Sequence, residues 1–232
     1  MSIQKQKITE AAIAANGVQS RPDKLTGTAA QNKKVFDALV TAVVREKFNA
    51  LLDELTGTTA AAQLGITKPA LYKHYASKQE ILEAIIKRMS DMDRERAEEY
   101  EMPGDEPDGF AEAYMRTPVE RIRAYSIAQF RHWTEEEFPA EFRKMLTVEQ
   151  YRDAEMARLY RDYLAAGPVE YMAAIFRKMT DSDGAAMQLA LDFYGPMFLL
   201  YSVYDGADEK ESIAPMLSTH IDRFIAKIES GY

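Results

Sequence analysis

The chain has 232 residues, 47% hydrophobic and 28% charged, with a net charge of -8: an ordinary globular balance, long enough for one large domain or two small ones. It has no cysteine, which excludes disulfides, thiolate metal sites and cysteine nucleophiles, and its three histidines, His74, His132 and His220, lack metal-ligand spacing. No run approaches the roughly 20 apolar residues of a membrane span, and MSIQKQKITE lacks the apolar core of a signal peptide, so a cytoplasmic protein without metal or cofactor is expected.

In chain order, residues 1–33 are polar and interrupted by Gly17, Pro22 and Gly27, and read as a loose tail with at most a short helix over 9–15. Apolar residues then recur at spacings of three and four in Val35-Leu39-Val43, Ile81-Leu82-Ile85-Ile86-Met89, Val119-Ile122-Tyr125-Phe130 and Ile213-Leu217-Ile221-Phe224-Ile225-Ile228. No period-two run bounded by hairpin turns accompanies them, so the fold class is all-α. A long helix is expected from Lys78 to about Tyr100, and two more over 185–204 and 212–230. Strong punctuation falls at MPGDEPDG (102–109), at Gly167-Pro168 and over 181–184. The phrase LTGTAAQ at 25–31 echoes LTGTTAAAQ at 55–63, which two copies of an alanine-rich helix start explain without a repeat architecture.

Charge is distributed unevenly along this chain. Residues 1–90 carry 13 Lys and Arg against 8 Asp and Glu, a net of +5, whereas residues 91–232 carry 16 against 29, a net of -13. A basic head on an acidic body produces that asymmetry, because phosphate attraction is needed only on the contacting face. Residues 60–89 describe such a head: a short small-residue helix ending at Gly65, a second helix capped by Thr67 with Pro69 in its first turn, and a third capped by Ser77 with Glu80 completing a capping box. Helix, tight turn and helix are the parts that lay one helix in a major groove.

The stretch GITKPALYKHYASKQEIL, with Gly65, Thr67, Leu71, Tyr72, Tyr75, Ser77, Lys78 and Glu80 in register, resembles the recognition helix and following helix of the TetR/AcrR family of bacterial transcriptional regulators. RHWTEEEFPAEFRKMLTVEQYRDAEMARLYRDYLAAGPVEYM and FYGPMFLLYSVYDGA resemble the ligand-binding and dimerisation domain of a TetR subclass, which extends the likeness over about 60–232. The resemblance implies a homodimer, a helical body with a small-molecule pocket, and two DNA heads whose separation the effector controls. Upstream of Ala60 the chain departs from the family: VVREKFNALLDELTG carries neither the aromatic residue nor the glycine turn in register. Residues 18–59 instead resemble a segment near the start of prophage tail or baseplate proteins, as if two sequences were joined near 58–65. The expected division is a tail (1–33), a helix-turn-helix head with an atypical first helix (34–89) and an effector-binding and dimerisation domain (90–232).

Candidate DNA contacts are Thr67, Lys68, Pro69, Ala70, Tyr72, Lys73, His74 and Lys78. Lys68, Lys73 and Lys78 are read as phosphate anchors. The resemblance gives Tyr72 a phosphate and Tyr75 a place in the head's core, while His74 either reads a base or is solvated. Tyr125, Phe130, Trp133, Tyr171, Phe176, Tyr194 and Met197, with Tyr201, form the aromatic and methionine stripe of a ligand pocket or of an ordinary core. Arg123, Arg131 and Arg143 are either anchors for an anionic ligand or members of helix-surface ion pairs. Glu135, Glu136 and Glu137 point around a helix and read as a solvated face.

No GxSxG, GxxxxGK[ST] or GxGxxG occurs, and no catalytic constellation is suggested, so an enzyme is not expected. Two functions remain. The first is a ligand-responsive regulator, a repressor binding a double-stranded DNA operator as a homodimer, with no membrane partner. The second is a non-DNA-binding helical protein, either a phage-related structural or interaction module or a chimeric remnant that keeps only dimerisation and ligand binding.

Overall fold

The computed structural model describes residues 78–104 and 109–231. The tail, most of the head and the segment read as phage-like lie outside the described residues. Within them the protein is all-helical: α1 (Lys78–Glu99), α2 (Phe110–Arg116), α3 (Val119–Thr134), α4 (Glu137–Glu149), α5 (Ala154–Leu164), α6 (Ala166–Phe176), α7 (Asp183–Gly206), a 3-10 turn (Lys210–Ser212) and α8 (Ile213–Glu229). None of these helices is long and apolar enough to cross a membrane.

The helix ends follow local chemistry. At the end of α1, Glu101 adopts a left-handed φ of 47°, and the Met102 N–H returns to the Ala97 carbonyl at 2.8 Å, closing the last turn and burying Met102. Asp153 caps α5 by accepting from the N–H groups of Glu155 and Met156 at 2.8 and 3.1 Å, and Ser182 caps α7 by accepting from Ala185 N–H at 3.2 Å. The Gly167-Pro168 punctuation lies inside the first turn of α6, just after a break at Ala165. Pro168 is tolerated there because a first-turn N–H has no helical partner. Gly167 answers to a different constraint: a Cβ at this position would stand 2.0 Å from the Asp162 carbonyl oxygen.

α6 lies against α5, α7 and α2, while α3 is flanked by α4, α7 and α8. One large cluster of buried side chains runs through α3, α4, α5, α7 and α8, including Trp133, Phe142, Tyr163, Leu189 and Leu217. Leu82, Ile85, Ile86 and Met89 of α1 belong to the same cluster. The Arg88 guanidinium rests 4.1 Å over the Phe138 ring of α4. α1 therefore runs without interruption through residues 89 and 90, and its first half, read from sequence as head, buries its apolar face in the body's core. The interruption expected at 102–109 falls after it.

Candidate functional site

A cavity of about 250 Å³ opens among α2, α3, α6, α7 and α8. Five helices supply its walls because each turns one apolar stripe inward. On α3, Ile122, Ser126, Gln129 and Trp133 follow one another at spacings of four, three and four, and all line the cavity. α7 contributes Tyr194, Met197 and Tyr201 at spacings of three and four, with Phe193 beside them. Met102, just beyond the end of α1, closes the wall nearest that helix.

Six of the seven aromatic and methionine candidates meet here: Tyr125, Trp133, Tyr171, Phe176, Tyr194 and Met197, joined by Tyr201. Phe130 is not among the lining residues. One residue on from Gln129, it is rotated about 100° round α3 and stacks on Tyr201 from the core side, with ring centroids 5.3 Å apart and 15° between planes. Sequence reading passed over Ser126 and Gln129, although their spacing from Trp133 was the available signal. It also passed over Met102, Tyr114 and Met179.

The polar groups of the wall are largely tied to the fold. Tyr194 donates its hydroxyl to the Leu164 carbonyl at 2.9 Å, and Tyr171 donates to the Tyr114 hydroxyl at 3.1 Å. Thr117 and Ser126 donate back to the Ala113 and Ile122 carbonyls at 2.9 and 2.8 Å. Burial holds the Tyr194 hydroxyl well above its ordinary pKa, with the neighbouring Tyr201 and Tyr160 acting in the same direction.

None of the three candidate arginines lines the cavity. Arg123 pairs with Asp222 through two hydrogen bonds at 2.6 and 3.2 Å, and Arg131 lies 3.9 Å from Glu135, both at the surface. Arg143 instead is buried: its Nε donates to the Trp133 carbonyl at 2.9 Å and its two terminal nitrogens to Asp205 at 2.8 and 2.7 Å.

The reading of Glu135, Glu136 and Glu137 as a purely solvated face is corrected at Glu136. This carboxylate accepts from Arg96 of α1 and sits 2.9 Å from Nδ1 of the fully buried His132. The other ring nitrogen of His132 is 3.7 Å from the Asp93 carboxylate, again on α1. Desolvation lowers the His132 pKa despite the opposing pull of Asp93 and Glu136. The α1–α3 contact is thus polar at its centre, and the i,i+4 spacing of His132 and Glu136 was the only local hint of it.

Of the candidate DNA contacts, Thr67, Lys68, Pro69, Ala70, Tyr72, Lys73 and His74 lie outside the described residues, and Lys78 is the first residue of α1. Comparison with known proteins bears on this region. Searches of curated proteins and of solved structures returned no match, so the resemblance of residues 18–59 to phage tail proteins finds no support there. Residues 58–85, however, match the family model for bacterial regulatory proteins of the tetR family, a segment that takes in every candidate DNA contact and the first turns of α1. The match, together with the all-helical architecture, supports a TetR-family DNA-binding transcriptional regulator with a helix-turn-helix head.

Proposed function

We propose that this protein is a cytoplasmic, ligand-responsive repressor that acts without catalysis, binding a two-fold symmetric operator as a homodimer and releasing it when an effector fills the cavity. The observation that carries this reading is the continuity of α1. It begins inside the family-matched segment and ends at Glu99, three residues before Met102 in the cavity wall. At about 1.5 Å per residue this helix is a rod of roughly 33 Å. Its apolar face and the contacts of Arg96 and Asp93 with α3 and the following turn bind it to the helix that carries Trp133. A ligand that displaces α3 or Met102 therefore acts on the rod's far end. The displacement would move two recognition helices off the roughly 34 Å separation of successive major grooves.

The dimer half of the proposal rests on α7 and α8. Leu191, Leu199 and Val203 are exposed along one face of α7, with Gly195 between them, and Met216 is exposed on α8. These account for half of the large exposed apolar residues among those described. Such a stripe is suited to cover its own copy across a two-fold axis.

The test is anisotropy of labelled DNA fragments from the protein's own gene neighbourhood, titrated with the full chain. A fragment bound with a steep salt dependence and a preference over random DNA supports the reading. Binding no tighter than to random DNA refutes it and favours the non-DNA-binding helical protein.

A further inference from the structure

The chemistry of the cavity wall restricts what can occupy it. Among the described residues no Lys, Arg or His lines it, and the one lining carboxylate, Glu229, is exposed at the end of α8. The arginines of α3 and α4 are spent elsewhere, on Glu101, Asp222, Glu135 and Asp205. The hydroxyl protons of Thr117, Ser126, Tyr171 and Tyr194 are already donated within the protein, so these four oxygens present lone pairs rather than protons. What remains is mostly ring faces and methionine and isoleucine side chains, with the Gln129 amide and the Tyr114, Tyr125 and Tyr201 hydroxyls set among them.

An anionic ligand entering such a space sheds its hydration and meets no cationic side chain among the described lining residues, a costly transfer. A neutral apolar ligand is stabilised by the area it buries, at about 25 cal/mol per Å². We propose that the cavity takes a neutral, predominantly apolar ligand of about two or three rings, accepts a hydrogen-bond donor on it, and rejects the anionic analogue of the same shape. This inference rests on the reading of the cavity as the effector site and adds the effector's chemical class.

The experiment uses the full-length protein and two dyes that share one ring skeleton: neutral N-phenyl-1-naphthylamine and its sulfonated counterpart, 8-anilinonaphthalene-1-sulfonate. Quenching of Trp133 by energy transfer reports occupancy, since Trp133 is the chain's one tryptophan and lines the cavity. The neutral dye is expected to saturate and to bind about tenfold or more tighter than the sulfonate. In Met179→Arg, which adds a guanidinium to the wall from the segment between α6 and α7, the sulfonate should gain and the gap narrow. Equal or tighter sulfonate binding to the unaltered protein overturns the proposal, as does the absence of saturable quenching by the neutral dye. Operator anisotropy recorded in the same samples keeps the two readings apart. Dye selectivity with unchanged DNA affinity upholds the ligand class and sinks the effector role, whereas DNA affinity that falls on dye binding without preference for the neutral dye upholds the effector role and sinks the ligand class.

Discussion

Arg143 and Asp205, 62 positions apart, form a two-pronged pair with N–O distances of 2.8 and 2.7 Å that fastens α4 to the end of α7. The guanidinium Nε–H donates to the Trp133 carbonyl, and its Cζ lies 5.2 Å from the centre of the Tyr201 ring. One buried side chain therefore anchors two residues of the cavity wall from behind. Arg143→Ala should cost about 2–3 kcal/mol, below the full loss for a buried pair because Asp205 is partly solvated. Arg143→Lys should recover only part of this, since an ammonium cannot reproduce the planar fork. Urea midpoints of the two variants, with Trp133 emission as the probe, check the order.

His132 makes stability depend on pH in a defined window. Burial holds its folded pKa below the ordinary 6.5, so the unfolded chain binds the proton more readily and stability falls as pH drops through 6.5. The paired carboxylates Asp91, Asp192 and Asp222, all held below 3.8, and Glu112, held below 4.5, lose their contributions only at lower pH. Urea midpoints between pH 7.5 and 5 should fall in the unaltered protein and fall less in His132→Gln. Parallel curves for the two would remove His132 as the cause.

Gly167→Ala sets two effects against each other. Helix propensity favours alanine by about 1 kcal/mol, but its Cβ would stand 2.0 Å from the Asp162 carbonyl, a backbone atom that cannot swing away. The clash should win, with a net loss of about 1–3 kcal/mol and a lower melting temperature.

Leu199→Glu places a charge on the exposed stripe of α7 without disturbing the core, since Leu199 is 63% exposed. Sedimentation should show the unaltered protein as a dimer at micromolar concentration and this variant as a monomer. Both should have the same helical content by circular dichroism. A monomeric unaltered protein would refute the homodimer.

Lys78 is the first residue of α1, and under the proposed DNA-binding function it serves as a phosphate anchor that reads no base. Lys78→Ala should weaken binding about equally on all DNA sequences and reduce the salt slope by roughly 0.9 for each head. A change of sequence preference with an unaltered slope would reassign it.

Much of the fold was written in local periodicity. The helix from Lys78 to about Tyr100, the start of α3 at Val119, and the long last helices emerge from three-and-four spacing and end signals, because a helix's hydrogen bonds and caps all come from residues within a turn of one another. The cavity stripe was legible for the same reason, and Phe130 shows the limit. Periodicity gives the faces of a helix, but which neighbour each face meets is settled only when the helices pack, and Phe130 met Tyr201 rather than the cavity. The acidic triplet around Glu136 reads as solvent-facing until α1 brings Arg96 and Asp93 across to it and to His132. Nothing near Arg143 announces Asp205. The sequence by itself determined the helices and the kind of surface each presents; the pairing of charges across tens of residues, and a cavity wall without cations among the described residues, were decided by tertiary packing, which alone chooses the charges removed from water together.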